Sequence, residues 1–164
     1  MSGNNYRLLL LTLHIMGAIV AFGATFTFPF IGALAQKPGA PIPWFLRLNH
    51  LIERKLVLPI ALTIQPATGA LLIVQSKGTF NPFRSNGRWL GAAIIIYIIA
   101  ISFTVFVQDR NAIKALKMAE AQEFGPEFGG LMKKLGQGGQ FLTLMLVAII
   151  ILMVVKPGSH IFHS

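Results

Sequence analysis

Residues 8–36 read LLLLTLHIMGAIVAFGATFTFPFIGALAQ, and no acidic residue, lysine or arginine interrupts them. A helix needs about 20 residues to cross the roughly 30 Å hydrocarbon core of a bilayer, so this run can cross once. Further charge-free runs occupy 56–76, 89–108 and 135–155, and none alternates as a membrane β-strand does. The sequence therefore predicts an all-α membrane protein in which a single domain, 1–164, forms a bundle of four transmembrane helices. The predicted spans are about 8–35, 56–76, 89–108 and 135–155.

The composition excludes most other classes of protein. Of the 164 residues, 54% are hydrophobic and 12% are charged, about half of the roughly 25% charged residues usual in soluble domains. A chain this short could not hide so much apolar surface in a water-soluble globule, and it is too apolar for intrinsic disorder. Because it has no cysteine, it can form neither a disulfide framework nor a thiolate metal site.

The basic residues predict the orientation in the membrane. Nine lysines and arginines lie in 37–55 and 109–134, against five on the opposite side of the predicted bundle. The positive-inside rule then places both loops in the cytoplasm and both termini on the outer side, with 109–134 as a cytoplasmic amphipathic segment. Contact with anionic lipid explains the net charge of +9 without a nucleic-acid partner.

His14 is the ionisable side chain that lies well inside a predicted span. An intramembrane histidine is a candidate haem ligand, metal ligand or proton carrier. The alternative is a neutral imidazole that is hydrogen-bonded to a neighbouring helix. His14 shares one helical face with small residues, which let helices approach closely, so we expect this face to point into the bundle.

The second span contains a polar stretch around a proline. Pro66 lies midway along it, between Gln65 and Gly69, and it removes the backbone donor that would pair with the carbonyl of Leu62. Interrupted helices with polar side chains form the midplane sites of transporters, but they also hold the helices of ordinary bundles together. The residues that we predict to mediate helix packing are Gly17, Ala21, Ala24, Gln65, Pro66 and Gly69.

The remaining polar segments suggest little chemistry. The acids at 109, 120, 123 and 127 fit a solvated helix with surface ion pairs, which Gly125-Pro126 then ends. The glycine-rich stretch 136–140 lacks the lysine of a phosphate-binding loop, and we interpret it as a flexible entry to the last span. His50 is expected in a cytoplasmic loop.

Several segments together resemble a known family. LHIMGAIVAFGATF at 13–26, a second span with a proline and a Thr-Gly pair, a long basic third loop and a last span that ends in MVVKPG resemble predicted four-helix bacterial membrane proteins, classed as a domain of unknown function. More remotely, His14 and the small-residue face are similar to the first helix of copper-resistance D-type and haem-binding membrane proteins. The first resemblance implies a location in a bacterial inner membrane, and the second implies a haem or metal ligand at His14.

These observations lead to one main functional hypothesis and two alternatives. We expect a non-catalytic membrane subunit or assembly factor that contacts the lipid bilayer and either other membrane subunits or further copies of itself. The first alternative is a haem-binding redox protein that uses His14, and the second is a small transporter built around Pro66.

Overall fold

The structure, a computed structural model, describes residues 3–35, 37, 39, 41–76, 81–84 and 87–157. The regular structure of this part is helical, and the predicted all-α membrane fold is confirmed. Three π-helical turns, here π1 to π3, interrupt the α-helices. The elements in chain order are α1 Gly3–Ala35, α2 Ile42–Ile52, π1 Glu53–Val57, π2 Ile60–Ile64, α3 Gln65–Gln75, α4 Arg88–Phe103, π3 Thr104–Gln108, α5 Asp109–Glu120 and α6 Pro126–Val155.

Four helices of the described part are long and apolar enough to cross a membrane: Asn4–Gly23 of α1, Ile42–Gln75, Arg88–Glu120 and Pro126–Val155. The second runs from α2 through α3, and the third from α4 through α5. Every charged residue of these two helices lies outside residues 56–76 and 89–108. We therefore take these two stretches as the membrane-crossing parts. Aliphatic side chains such as Ile19, Val74 and Leu144 are 60–74% exposed, as a lipid-facing surface requires.

In the second spanning helix, Pro59 and Pro66 each come two positions after the end of a π-helical turn. The N–H of Leu58, just before Pro59, donates to the carbonyl of Glu53, and the N–H of Gln65, just before Pro66, donates to the carbonyl of Ile60. Local π geometry re-pairs backbone groups that a proline would otherwise leave free. The helix therefore continues past Pro66, whose side chain is exposed.

The helices form a bundle with a small additional cluster at one end. α1 contacts α3, π1, π2 and α6, and α4 contacts α6. Beyond the charge-free stretches, α5 contacts both α2 and α6. Their buried cluster consists of Leu46, Ala115, Ala119, Phe128 and Leu131.

The last helix begins earlier than the sequence suggests. α6 starts at Pro126, and residues 136–140, expected to be a flexible entry, lie inside it. That expectation is wrong. Phe128 and Leu131 are buried in the cluster with α5, so tertiary packing stabilises a helix that its glycines would weaken in isolation.

Candidate functional site

His14 pairs with a hydroxyl on the second spanning helix. Its Nδ1 atom lies 2.8 Å from Oγ1 of Thr68. The Thr68 hydroxyl also lies 2.6 Å from the carbonyl oxygen of Ile64, to which it donates. Because a hydroxyl has one proton, a Thr68 that donates to Ile64 accepts from His14 in the tautomer that carries its proton on Nδ1 and leaves Nε2 with a free lone pair.

Gln65 connects the same two helices beside this pair and is only 5% exposed. In the amide orientation that satisfies its neighbours, its nitrogen donates to the carbonyl of His14 at 3.0 Å and its oxygen accepts from the N–H of Ala18 at 3.1 Å. The same nitrogen lies 3.2 Å from Nδ1 of His14. A buried amide that is paired in this way joins α1 to the second spanning helix instead of remaining unsatisfied in an apolar surrounding.

Glycines allow the close approach of these helices. A Cβ added to Gly17 would lie 3.3 Å from both the end of the Gln65 amide and a methyl group of Ile64, and one added to Gly69 would lie 3.4 Å from Cε1 of His14. Ala21 is fully buried. Five of the residues that the sequence analysis singled out are thus buried or half-buried: His14, Gly17, Ala21, Gln65 and Gly69. Pro66 is exposed, and the side chain of Ala24 is not among the side chains that the structure describes.

A second polar cluster lies where the second and third spanning helices leave the apolar stretches. The guanidinium of Arg54 donates two hydrogen bonds to the carboxylate of Asp109, at 3.1 and 2.6 Å. Nδ1 of His50 lies 3.7 Å from the same carboxylate. Glu53 is only 9% exposed. Its burial, followed by the charge of Asp109, raises the pKa of Glu53 to about 7, whereas Arg54 acts in the opposite direction.

The sequence did not reveal this second cluster. Of the acids in the third loop, Glu120 pairs with Arg47 and Glu127 with Lys114 at exposed positions, as expected of a solvated helix. Asp109, by contrast, is 6% exposed. His50, expected in a loop, lies in α2. The positions of Glu53 and Asp109, each next to the end of an apolar span, are the sequence feature that could have indicated this cluster.

The third spanning helix is joined to α6 by an amide. Nε2 of Gln108 donates to the carbonyl of Leu135 at 2.9 Å. Gly138 faces the end of this side chain, where an added Cβ would collide with the amide oxygen. Gln108 is the last residue of π3, and such single π-helical turns often occur at functional sites because they change the direction of nearby side chains.

The chemistry available to the described residues is limited. They contain no group of three or more histidine, cysteine, aspartate or glutamate side chains that could hold a metal ion. Thr68, the partner of His14, lies 18 residues from His50 along one continuous helix, or about 27 Å. His14 and His50 are therefore too far apart to bind one haem iron. His160 and His163 lie outside the described residues.

Comparison with known proteins shows the family. The chain belongs to the family described as "Predicted integral membrane protein (DUF2269)", which it matches over residues 8–157. The expected resemblance to an integral-membrane family of unknown function is thereby confirmed. No curated protein and no solved structure matches the chain.

Proposed function

We propose that this protein is a non-catalytic subunit or accessory protein of a larger membrane assembly. The observation that supports this proposal is the use of the intramembrane polar groups. His14 and Gln65 join α1 to the second spanning helix, Tyr97 donates to the carbonyl of Ala61, and Gln108 donates to the carbonyl of Leu135. These groups hold helices together, which is the ordinary role of polar side chains in membrane bundles.

The outer surface of α1 supports assembly with another membrane helix. Gly23 is exposed, and a Cβ added there would meet no atom within 4 Å. Small residues on a lipid-facing surface let the backbone of a second helix approach closely. We propose the bacterial inner membrane as the location, on the basis of the resemblance to predicted bacterial membrane proteins. The distribution of lysine and arginine supports an orientation with both termini outside.

Native mass spectrometry of the tagged protein, released from its own membrane in a mild detergent, tests this proposal. We expect the protein to carry a second polypeptide or a second copy of itself. Gly23→Leu should remove that partner, whereas Ile19→Leu, a volume-conserving change at an exposed position of the same helix, should retain it. A wild-type protein that is monomeric throughout would contradict the proposal.

The geometry of His14 favours one alternative, a haem-binding redox protein. Ligand histidines commonly donate their other ring N–H to an oxygen acceptor, which orients the ring. The contact of Nδ1 with Thr68 is of this kind and leaves Nε2 available for iron. A second histidine ligand would have to come from outside the described residues or from another copy of the chain.

An absorbance spectrum of the purified protein distinguishes the two functions. A haem protein should show a Soret band that disappears in His14→Phe while the protein still folds. A colourless protein, even after haem is added to the purified sample, would contradict the redox alternative. The transporter hypothesis has no comparable support, since Pro66 is exposed and the helix continues past it.

A further inference from the structure

A large cavity lies between the four spanning helices. Its volume is about 1050 Å³, which is at the upper end of the roughly 300–1,000 Å³ usual for small-molecule sites. Its lining includes Phe22 of α1, Asn49 of α2, Tyr97 of α4 and Leu142 of α6. Gly139 also lines it, and a Cβ added there would meet no atom within 4 Å. The interior of the bundle therefore has room for a small-molecule ligand.

The cavity is apolar at one end and polar at the other. Leu58, Ala61 and Leu146 line it within the apolar stretches, whereas Asn49 and Glu53 line it beyond them. Asn49 and Ala61 are 12 residues apart on one helix, which corresponds to about 18 Å. An amphipathic molecule of about this length would match both ends.

The polar end holds buried polar atoms that form no hydrogen bond with the described residues. One is the side-chain oxygen of Asn49, and another is Nδ1 of His50, which lies 3.7 Å from the Asp109 carboxylate. None of the ion pairs in the described part of the chain includes Glu53. The guanidinium of its neighbour Arg54 pairs with Asp109 and acts on Glu53 only through its charge. Buried polar atoms are usually paired, and buried charges more strictly so.

We propose that this cavity binds an amphipathic amine, with its apolar body between Leu58, Ala61 and Leu146 and its ammonium group against Glu53 and Asn49. The unpaired oxygens at the polar end are hydrogen-bond acceptors, so the complementary head group is a donor. A cation adds the partner that the buried Glu53 carboxylate lacks, and charge-assisted hydrogen bonds of this kind are stronger than neutral ones.

Three fluorescent probes with the same dansyl body test the head-group chemistry on the full chain in lipid nanodiscs. Monodansylcadaverine has an ammonium group, N-pentyl dansylamide is neutral, and 6-(dansylamino)hexanoate is anionic. We expect the cationic probe to bind at least tenfold more tightly than the other two, above the signal of empty nanodiscs. Equal affinities, or tighter binding of the anion near Lys133, which also lines the cavity, would overturn the proposal.

Two pairs of variants test the location. Gly139→Phe fills the cavity and should abolish binding of the cationic probe, whereas Gly130→Phe, at an equally open position of α6 that does not line the cavity, should retain it. Glu53→Gln should weaken the binding of the cationic probe at least tenfold and leave the affinity for the neutral probe unchanged. Its control is Glu120→Gln, which removes an exposed acid elsewhere.

The comparison of probes on the wild-type protein remains decisive if a variant fails to fold. Undiminished binding to a folded Gly139→Phe protein would place the amine elsewhere and overturn the proposed site. A phospholipid that stays bound to the purified protein and is not displaced by the cationic probe would also overturn it. Neither result depends on whether the protein assembles with other subunits.

Discussion

Nδ1 of His14 on α1 lies 2.8 Å from Oγ1 of Thr68 on α3, and the Thr68 hydroxyl donates to the carbonyl of Ile64 in its own helix. The threonine thus connects the backbone of one helix to the imidazole of another. With the hydroxyl donating to Ile64, we expect the tautomer of His14 in which Nδ1 carries the proton. The arrangement also keeps the imidazole hydrogen-bonded within an apolar span, where an unpaired polar group is costly.

Replacement of Thr68 should change the tautomer of His14. In Thr68→Val the hydroxyl is lost, and the amide nitrogen of Gln65, 3.2 Å from Nδ1, becomes the available donor. We expect the proton to move to Nε2, which the ¹⁵N chemical shifts of the labelled imidazole would report. Thr68→Ser retains a hydroxyl and should keep the Nδ1–H form. An unchanged spectrum in Thr68→Val would show that Thr68 does not set the tautomer.

Enlarging Gly17 should destabilise the contact between α1 and the second spanning helix. Gly17→Leu places a branched side chain against Gln65 and Ile64, which already lie within 3.3 Å of an added Cβ, and overpacking of this kind costs about 1–3 kcal/mol. Thermal unfolding in detergent should show a lower Tm. Ile19→Leu, at a position 60% exposed, should be nearly neutral, and an equal Tm for the two variants would mean that the buried face is assigned wrongly.

The effects of substitutions at Gly138 and Gln108 on stability should not be additive. Gly138→Ala places a methyl group against the end of the Gln108 side chain and should displace it from the carbonyl of Leu135, which costs about 1 kcal/mol for a hydrogen bond of this type. Gln108→Ala removes the same bond directly. We therefore expect the double variant to be no less stable than Gln108→Ala alone. Fully additive losses in the thermal unfolding of the three variants would contradict this coupling.

The stability of the fold should depend on pH through Glu53. Its folded pKa of about 7 lies above the usual 4.5, so the protonated form is favoured by folding. The associated stability is complete below pH 4.5 and is lost as the pH rises through 7. Glu53→Gln, which resembles the protonated acid, should therefore raise the stability at pH 8 by up to about 3 kcal/mol and change it little at pH 4.5.

Burial of Glu53 is the main cause of this effect, and the charges that face it modify the effect. Asp109 raises its pKa and Arg54 lowers it, while His50 lies close to the same Asp109 carboxylate. Glu120→Gln, at an exposed ion pair, should show no comparable difference between the two pH values. A stability gain for Glu53→Gln that is the same at pH 4.5 and pH 8 would mean that titration of Glu53 is not its cause.

The orientation in the membrane is predicted from the sequence and can be tested directly. The chain has no cysteine, so single cysteines at Ser2, Lys117 and Ser164 would each be the one site for an impermeant thiol reagent. In cells whose inner membrane is intact and accessible, we expect labelling at Ser2 and Ser164 and protection at Lys117. The reverse pattern would mean that the protein is inserted with its termini in the cytoplasm.

The sequence by itself determined the class of fold and the family. Four charge-free runs long enough to cross a bilayer leave helices as the stable choice, because lipid offers no partner to an exposed backbone group. The same pattern identified His14, Gly17, Gln65 and Gly69 as residues of interest from their type and position. These inferences need only local information, since helical periodicity and side-chain polarity can be read along one chain.

The tertiary structure decided which residues meet. The pairing of His14 with Thr68, 54 positions later, and of Arg54 with Asp109, 55 positions later, depends on the rotation of each helix about its axis. Packing against neighbouring helices sets that rotation, and the π-helical turns at 53–57, 60–64 and 104–108 alter it locally. The central cavity and the buried Glu53 follow from the same packing, which the composition of any single segment does not specify.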